Sequence, residues 1–390
     1  MALQAYQSLQ PIPIALRLPP RPRILVVANA LKETLGVKLA RRSLQLGTEV
    51  GGGSVSQGLC VTDGGDGFLE AFGDIHPGRR IRFLCADPLG QPVLAEFIHH
   101  QSSLTAIIEM ARCCGLHLVP QERRDIMRAS SAGLGEVIFH ALVLGARELH
   151  IGIGGSATCD GGIGMMMRLQ QLVFGQRRDR DHVAADLSRP PQLMLGRLIE
   201  RLRGLNIVVY SDVSNPLLGD AGTAKTFARQ KGASDADILQ LEQGMTIWAD
   251  EIERQTGTRL RDLPGAGAAG GVGFALAALG ARLKDGAEEF CRILRLNEHL
   301  ASCDGIITCE GKFDETSFRG KAPYHVAKAA VAAGRRAMIA CALADAESVQ
   351  RALDEGIRVV TFADENARAR TSDAFVGLHQ AATAYVRNQA

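Results

Sequence analysis

The 390-residue sequence lacks the patterns that mark a zinc protein, a disulfide-bonded secreted protein or a membrane protein. Its nine cysteines contain no C-x-x-C pair and its ten histidines show no metal-ligand spacing, which disfavours a zinc site and a disulfide framework. No stretch approaches the roughly 18 uninterrupted apolar residues of a transmembrane helix. We therefore interpret the cysteines as reduced core residues and expect a cytoplasmic protein.

The sequence also lacks an excess of either charge. Lys plus Arg number 44 against 42 acids, for a net charge of +2, so neither nucleic acid nor a membrane is expected as a partner. A hydrophobic content of 46% is typical of a globular protein, and the length allows two or three domains. The first 22 residues contain five prolines and no acid, which indicates a flexible lead-in.

What the chain has in quantity is glycine, with 43 residues gathered in short clusters. The clusters follow Val/Ile-rich runs that alternate with helical patterns, an alternation typical of α/β proteins with parallel strands. The candidate strands are residues 23–29, 104–110, 148–154, 206–212, 305–311, 337–343 and 357–362.

The most pronounced cluster is "HIGIGGSATCDGGIGMMMRLQ", residues 150 to 170, which begins as a strand and ends as a helix. Gly154, Gly155 and Ser156 would offer backbone N–H groups to an anion at the start of that helix, and Asp160 adds a lone carboxylate. A tight turn with a helix-capping acid is the alternative interpretation. The stretch is neither a Walker loop nor a dinucleotide fingerprint.

Four further loops place glycines, carboxylates or lysines at the ends of candidate strands or helices. Their candidate binding residues are Asp63, Gly64, Gly65, Asp212, Asn215, Gly267, Gly270, Gly271, Glu310, Lys312 and Asp314. Ligands bind beyond the carboxyl ends of strands in open parallel sheets, so a common cleft is predicted. Acidic turns, a surface charge run and close helix packing remain the alternatives. Glycine loops with several acids and lysines favour phosphoryl transfer, which depends on positioning and charge neutralisation.

These stretches, in this order, resemble the type-1 glycerate kinase family. The resemblance rests on "VANALKETL" (27–35), "DGGDGF" (63–68), "IEMARCCGL" (108–116), "GIGGSATCDGGIG" (152–164) and later runs up to 308–314. It implies transfer of the γ-phosphate of ATP to D-glycerate with Mg²⁺, giving 2-phospho-D-glycerate, in glyoxylate and serine metabolism. The partners would be these small molecules, with room for a homo-oligomer.

The resemblance also implies a fold and a set of roles. We expect two α/β domains with the cleft between them: a Rossmann-like domain with a mostly parallel sheet, discontinuous over 23–77 and 286–390, and an inserted domain over 78–285. Asp160, Asp63 and Lys32 would be catalytic, with the choice of general base left open between the two acids. Asp212 and Glu310 would bind Mg²⁺.

The chain departs from the family pattern at several loop positions. The departures are Asn29, Ala30, Phe68, Cys114, Leu134, Thr316, Cys341 and Ala342. They leave open a catalytically impaired ligand-binding relative and a kinase for another small hydroxy acid, such as tartronate or a longer aldonate. A nicotinamide-dependent dehydrogenase is disfavoured because no G-x-G-x-x-G follows the first strand.

Two substitutions test the predicted roles directly. Lys32→Ala is expected to lower kcat/KM by about 30- to 1000-fold through a raised KM for ATP or glycerate, because it removes a charge-assisted contact to an anion. Parental kinetics for both substrates would show that Lys32 is a surface residue.

Asp160→Asn is expected to cut turnover by about 100-fold or more with little loss of stability.

Overall fold

The computed structural model of the protein describes residues 21–31, 34–177, 180–363 and 371–388. The strands are β1 (Arg23–Ala28), β2 (Ser54–Cys60), β3 (Arg79–Ala86), β4 (Pro92–His100), β5 (Thr105–Glu109), β6 (Glu148–Gly152), β7 (Asn206–Ser211), β8 (Arg282–Asp285), β9 (Gly305–Phe313), β10 (Arg336–Ala344) and β11 (Ile357–Thr361).

Helices lie between most of the strands. They are α1 (Val37–Val50), α2 (Phe68–Ile75), α3 (Ala111–Cys114), α4 (Ala132–Val143), α5 (Ile163–Val173), α6 (Leu195–Arg201), α7 (Thr223–Phe227), α8 (Asp235–Thr256), α9 (Ala268–Ala278), α10 (Gly286–Ile293), α11 (Leu296–Leu300), α12 (Ala322–Ala332), α13 (Ala346–Asp354) and α14 (Thr371–Arg387). Short 3-10 turns cover Leu116–Leu118, Gln121–Arg123, Ala184–Ser188, Arg229–Lys231 and Glu315–Arg319.

The first sheet is parallel throughout, in the order β11-β10-β9-β1-β2. β1 lies between β9 and β2, and five of its six residues are buried, as expected for a Val/Ile-rich strand with both faces covered. The prediction that the first strand and the last three share one sheet is confirmed. β2 was not predicted, because "SVSQGLC" has no apolar run.

The second sheet has the order β3-β4-β5-β6-β7-β8. β5 to β8 are parallel, whereas β3 and β4 form an antiparallel pair at one edge. All seven predicted strands are present and the α/β class is confirmed. The predicted domain bounds stay a prediction; the strands of the first sheet lie within 23–60 and 305–361, and those of the second within 79–285.

Aromatic side chains of α2 and α10 pack between the two sheets. The Phe68 ring lies 5.2 Å from that of Tyr210 on β7, and the Phe72 ring lies 5.0 Å from that of Phe290. The same buried cluster includes Ile107 of β5. A continuous apolar core therefore joins the sheets, so their facing loops are held in a fixed relation.

Candidate functional site

The loop after β2 and the loop after β6 touch backbone to backbone where the two sheets meet. Gly154 N–H donates to the Gly64 carbonyl at 2.9 Å, and a Cβ on Gly154 would lie 2.6 Å from Gly65 Cα. Gly64 has φ +99°, and a Cβ there would lie 2.3 Å from the Tyr210 carbonyl oxygen. These predicted binding glycines have at least a packing role, because any side chain would force the loops apart.

A second contact of this kind holds the start of α9 against the loop after β6. Gly161 N–H donates to the Gly270 carbonyl at 2.8 Å, and a Cβ on Gly271 would lie 2.7 Å from Gly161 Cα. Gly267 N–H donates to the Asn215 carbonyl at 2.9 Å. The structure brings these predicted residues together as loop-to-loop contacts, and their binding of a ligand stays a prediction.

Gly270→Ala is expected to lower the free energy of unfolding by at least about 2 kcal/mol more than Gly280→Ala. Both glycines have positive φ, +73° and +88°, so backbone strain is matched. At Gly270 the new Cβ would lie 2.0 Å from the Thr158 carbonyl oxygen, whereas at Gly280 nothing lies within 4 Å. Denaturant unfolding of the two variants measures the difference, and equal values would contradict the close packing.

A cleft of about 610 Å³ opens between the loops of the two sheets. Residues 30–31 and 34–39 after β1, and Asp66, Gly67 and Glu70 after β2, form one side. Residues after β5 and β6 form the other, including Arg112, His117 and Gly155. The cleft thus lies at the carboxyl ends of parallel strands, where ligands bind in such folds. Lys32, predicted to be catalytic, lies outside the described residues.

Glu109, at the end of β5, is the most enclosed carboxylate that lines this cleft. It is 5% exposed; Leu69 N–H donates to its Oε2 at 2.9 Å, and Arg112 Nε lies 3.3 Å from its Oε1. Burial raises the pKa of Glu109 to about 7, although Arg112 and the hydrogen bond from Leu69 act in the opposite direction. Sequence reasoning missed this residue; its signal was a lone acid ending the apolar run "AIIE".

Asp160 lies in the interior of the second sheet's domain and not on the cleft surface. It is 0% exposed, and its carboxylate accepts hydrogen bonds from Ser131 N and Oγ, both 2.8 Å, and from Gly162 N and Gly164 N, both 3.1 Å. Burial raises the pKa of Asp160 despite these donors. The carboxylate ties the start of α4 to the start of α5. Its predicted contact with substrate stays a prediction, and the geometry favours a loop-ordering role.

Asp63 and Asp212 are not among the residues that line the larger cleft. Asp63 Oδ1 accepts a hydrogen bond from Gly65 N at 3.0 Å, and a Cβ on Gly286 would lie 1.8 Å from the Asp63 carbonyl oxygen. Asp212 lines a smaller cavity of about 150 Å³, together with Asp285. The Asp63 loop reaches the larger cleft at its end, where Asp66 and Gly67 line that cleft.

Glu310, Lys312 and Asp314 form one polar cluster, in the last part of β9 and directly after it. Glu310 Oε2 accepts hydrogen bonds from Ser317 Oγ at 3.1 Å and from Lys321 Nζ at 3.3 Å. Within the described residues, the buried Glu310 Oε1 has no hydrogen-bond partner. Burial raises the pKa of Glu310 to about 7, against the lowering effect of Lys321. Lys312 Nζ lies 3.1 Å from Asp314 Oδ2.

The described residues contain no group of three or more His, Cys, Asp or Glu side chains placed to hold a metal ion. The predicted Mg²⁺ ligands belong to different sheets: Asp212 follows β7 of the second sheet, and Glu310 lies within β9 of the first. Glu310 Oε1 offers the kind of buried oxygen that a hard cation accepts, but Lys321 already supplies positive charge beside it. A preformed metal centre is thus not shown.

Four of the eight departures from the family pattern lie in the core. The fully buried ones are Phe68, Cys114, Leu134 and Cys341. Ala30 lines the cleft, and the Thr316 hydroxyl donates to Asp314 Oδ1. The four buried side chains stand where the family pattern has hydroxyl or glycine positions, and none of them lines the cleft. Ala30 does line it, so Ala30 is the departure with most bearing on a ligand there.

Comparison with known proteins decides the family. The model of the glycerate kinase family matches residues 24–387. The chain belongs to the glycerate kinase family. It is 38% identical over 311 residues to the glycerate 2-kinase of Escherichia coli K12, which covers 79% of this chain and 82% of the relative. It is also 38% identical over 312 residues to the glycerate kinase of Bacillus subtilis 168, covering 79% and 81%.

A solved structure extends this family likeness to the fold. A glycerate kinase 2 from Salmonella typhimurium LT2 has a TM-score of 0.77 and 31% identity, covering 95% of this chain and 98% of the relative. The two-sheet α/β architecture is therefore that of the glycerate kinase family. In the part of the chain that the structure describes, no helix combines the length and apolarity needed to cross a membrane.

Proposed function

We propose that the protein transfers the γ-phosphate of ATP to the C2 hydroxyl of D-glycerate, giving 2-phospho-D-glycerate. The observation that carries the proposal is the cleft of about 610 Å³ at the carboxyl ends of strands from both sheets, with Glu109 and Arg112 on its wall. Its volume suits a small hydroxy acid with the phosphates of a nucleotide. The E. coli relative, named a glycerate 2-kinase, supports the choice of hydroxyl.

Glu109 is the group that we propose to accept the proton of the acceptor hydroxyl. A carboxylate serves as a base most efficiently when its pKa lies near the working pH, and burial brings the pKa of Glu109 to about 7. Its Oε2 is held by Leu69 N–H, which fixes the orientation of the carboxylate. Arg112, beside it, would bind an anionic oxygen of the substrate.

Mg²⁺ is proposed to enter with the nucleotide, because it prefers phosphates and a few carboxylates to an all-protein cage. When bound, it would neutralise charge that develops on the transferred group. Glu310, whose Oε1 has no partner among the described residues, is the residue here that best suits a cation. Asp212 stays the second proposed ligand.

The family resemblance supports three further proposals. These are a cytoplasmic location, a role in glyoxylate and serine metabolism, and formation of a homo-oligomer.

The test is a coupled assay of ADP formation with ATP, Mg²⁺ and a panel of D-glycerate, L-glycerate, tartronate and a longer aldonate. We expect the highest kcat/KM for D-glycerate. A higher value for another acid would make the protein a kinase of that acid. Absence of turnover on the whole panel, with folded protein, would indicate the ligand-binding relative that the departures left open.

A further inference from the structure

Lys231 is a lysine whose side chain is buried inside the molecule. It ends the 3-10 turn Arg229–Lys231 and is 5% exposed. Its ammonium reaches the glycine loop after β6, where Nζ donates to Ser156 Oγ at 2.9 Å and to the Thr158 carbonyl at 2.8 Å. A lysine on one loop therefore holds two groups of another loop through its charged end.

No carboxylate of the described residues forms an ion pair with this ammonium. Burial lowers the pKa of Lys231, whereas Cys159 and Asp160 act in the opposite direction from a longer range. The Asp160 oxygens accept hydrogen bonds from Ser131, Gly162 and Gly164. The neighbouring Lys225, by contrast, pairs with Asp220 at the surface. A buried charge without an ion-pair partner destabilises a fold, so Lys231 calls for a functional reason.

The hydrogen bond from Lys231 determines the direction in which the Ser156 hydroxyl can donate. Its oxygen accepts from an ammonium, which has only donors, so its own hydrogen is available to an acceptor elsewhere. Ser156 directly follows Gly155, which lines the cleft. An anionic oxygen at this end of the cleft would receive the hydroxyl hydrogen and would offset the charge of Lys231.

We propose that Lys231 is a positioning residue for an anion site, in which it orients the Ser156 hydroxyl toward an anionic oxygen bound in the cleft. The proposal rests on the proposed function for the identity of the anion, which is either the carboxylate of the hydroxy acid or a phosphate of the nucleotide. Separate KM values for the two substrates distinguish these sources, because the loss of the contact raises the KM of the substrate that makes it.

Steady-state kinetics of Lys231→Met, Ser156→Ala and the double variant test the coupling. Each single variant is expected to lose about 30- to 100-fold in kcat/KM. The double variant is expected to lose no more than Lys231→Met alone, because Lys231 acts on the anion only through the Ser156 hydroxyl. The Tm of Lys231→Met is expected to stay within about 3 °C of the parent or to rise, because an unpaired buried charge is gone. Lys225→Met is the control and should keep parental kinetics.

A merely structural lysine would give a different result: a large fall in Tm for Lys231→Met, with additive losses in the double variant. That outcome would overturn the proposal.

Thermal unfolding with inorganic phosphate tests the anion site without any turnover. Saturating phosphate is expected to raise the Tm of the parent by about 2–4 °C and to leave that of Lys231→Met unchanged. Equal shifts in both proteins, or a shift in neither, would overturn the proposal. If the parent phosphorylates no hydroxy acid but phosphate still protects the parent alone, the proposed function fails and the anion site stands.

Discussion

Asp160→Asn is expected to lower the free energy of unfolding by about 2–4 kcal/mol, because an amide would place N–H donors against the donors that now serve the carboxylate. Those donors are Ser131, Gly162 and Gly164, and the site is fully buried. Turnover is also expected to fall by about 100-fold or more, since the loop that carries Ser156 would shift. The structure therefore revises the prediction of little loss of stability that the sequence suggested.

Denaturant unfolding and kinetics of the same preparation check this expectation. Asp220→Asn is a suitable control, because Asp220 is an exposed acid of the same sheet's domain and pairs only with Lys225 among the described residues. A variant of Asp160 with parental stability and lost turnover would contradict the loop-ordering role. That result would place the carboxylate at the reacting atoms, as first predicted.

Glu109→Gln is expected to lower kcat/KM by about 100- to 1000-fold at pH 8, because it removes the proposed proton acceptor while keeping its shape. The ionised carboxylate is the active form, so activity of the parent should be full above the pKa of about 7 and decline as the pH falls through it. Arg112 stabilises the ionised form, whereas Glu70 and Asp66 oppose it.

The pH profile of kcat/KM between pH 5.5 and 8.5 measures this dependence. The acid limb should be absent in Glu109→Gln and unchanged in Glu200→Gln, a control whose side chain is 72% exposed on α6. If Glu109→Gln keeps the parental limb and rate, Glu109 only caps the start of α2 through Leu69 N–H, and another group accepts the proton.

The sequence predicted the central strands because burial on both faces leaves a direct mark. β1, "RILVVA", and β7, "NIVVYS", contain continuous apolar runs. Such runs are typical of parallel strands that are covered on both faces. β3, "RRIRFLCA", lies at the sheet edge and alternates exposed and partly buried residues over 80–84. A search for long apolar runs does not detect this period-two pattern. β2 and β8 carry too few apolar residues to be recognised alone.

The candidate site was predictable in outline only. The loops that meet in the structure are those whose glycine clusters were noticed in the sequence. Glycine is needed at positions 64 and 154 because loops of the two sheets are in contact there, and a single sequence does not reveal that contact. Asp160 looked like a free acid because its donors at Ser131 lie 29 residues away. Lys231 reaches Ser156 across 75 residues, so its role depends on tertiary structure alone.

The most direct test of the proposed function is phosphorus and proton NMR of the product formed by purified protein from ATP, Mg²⁺ and D-glycerate. We expect one new phosphate ester whose phosphorus couples to the single proton on C2, as in 2-phospho-D-glycerate. Coupling to the two C3 protons would contradict the assigned hydroxyl. The absence of any phosphate ester with folded protein would contradict the kinase itself.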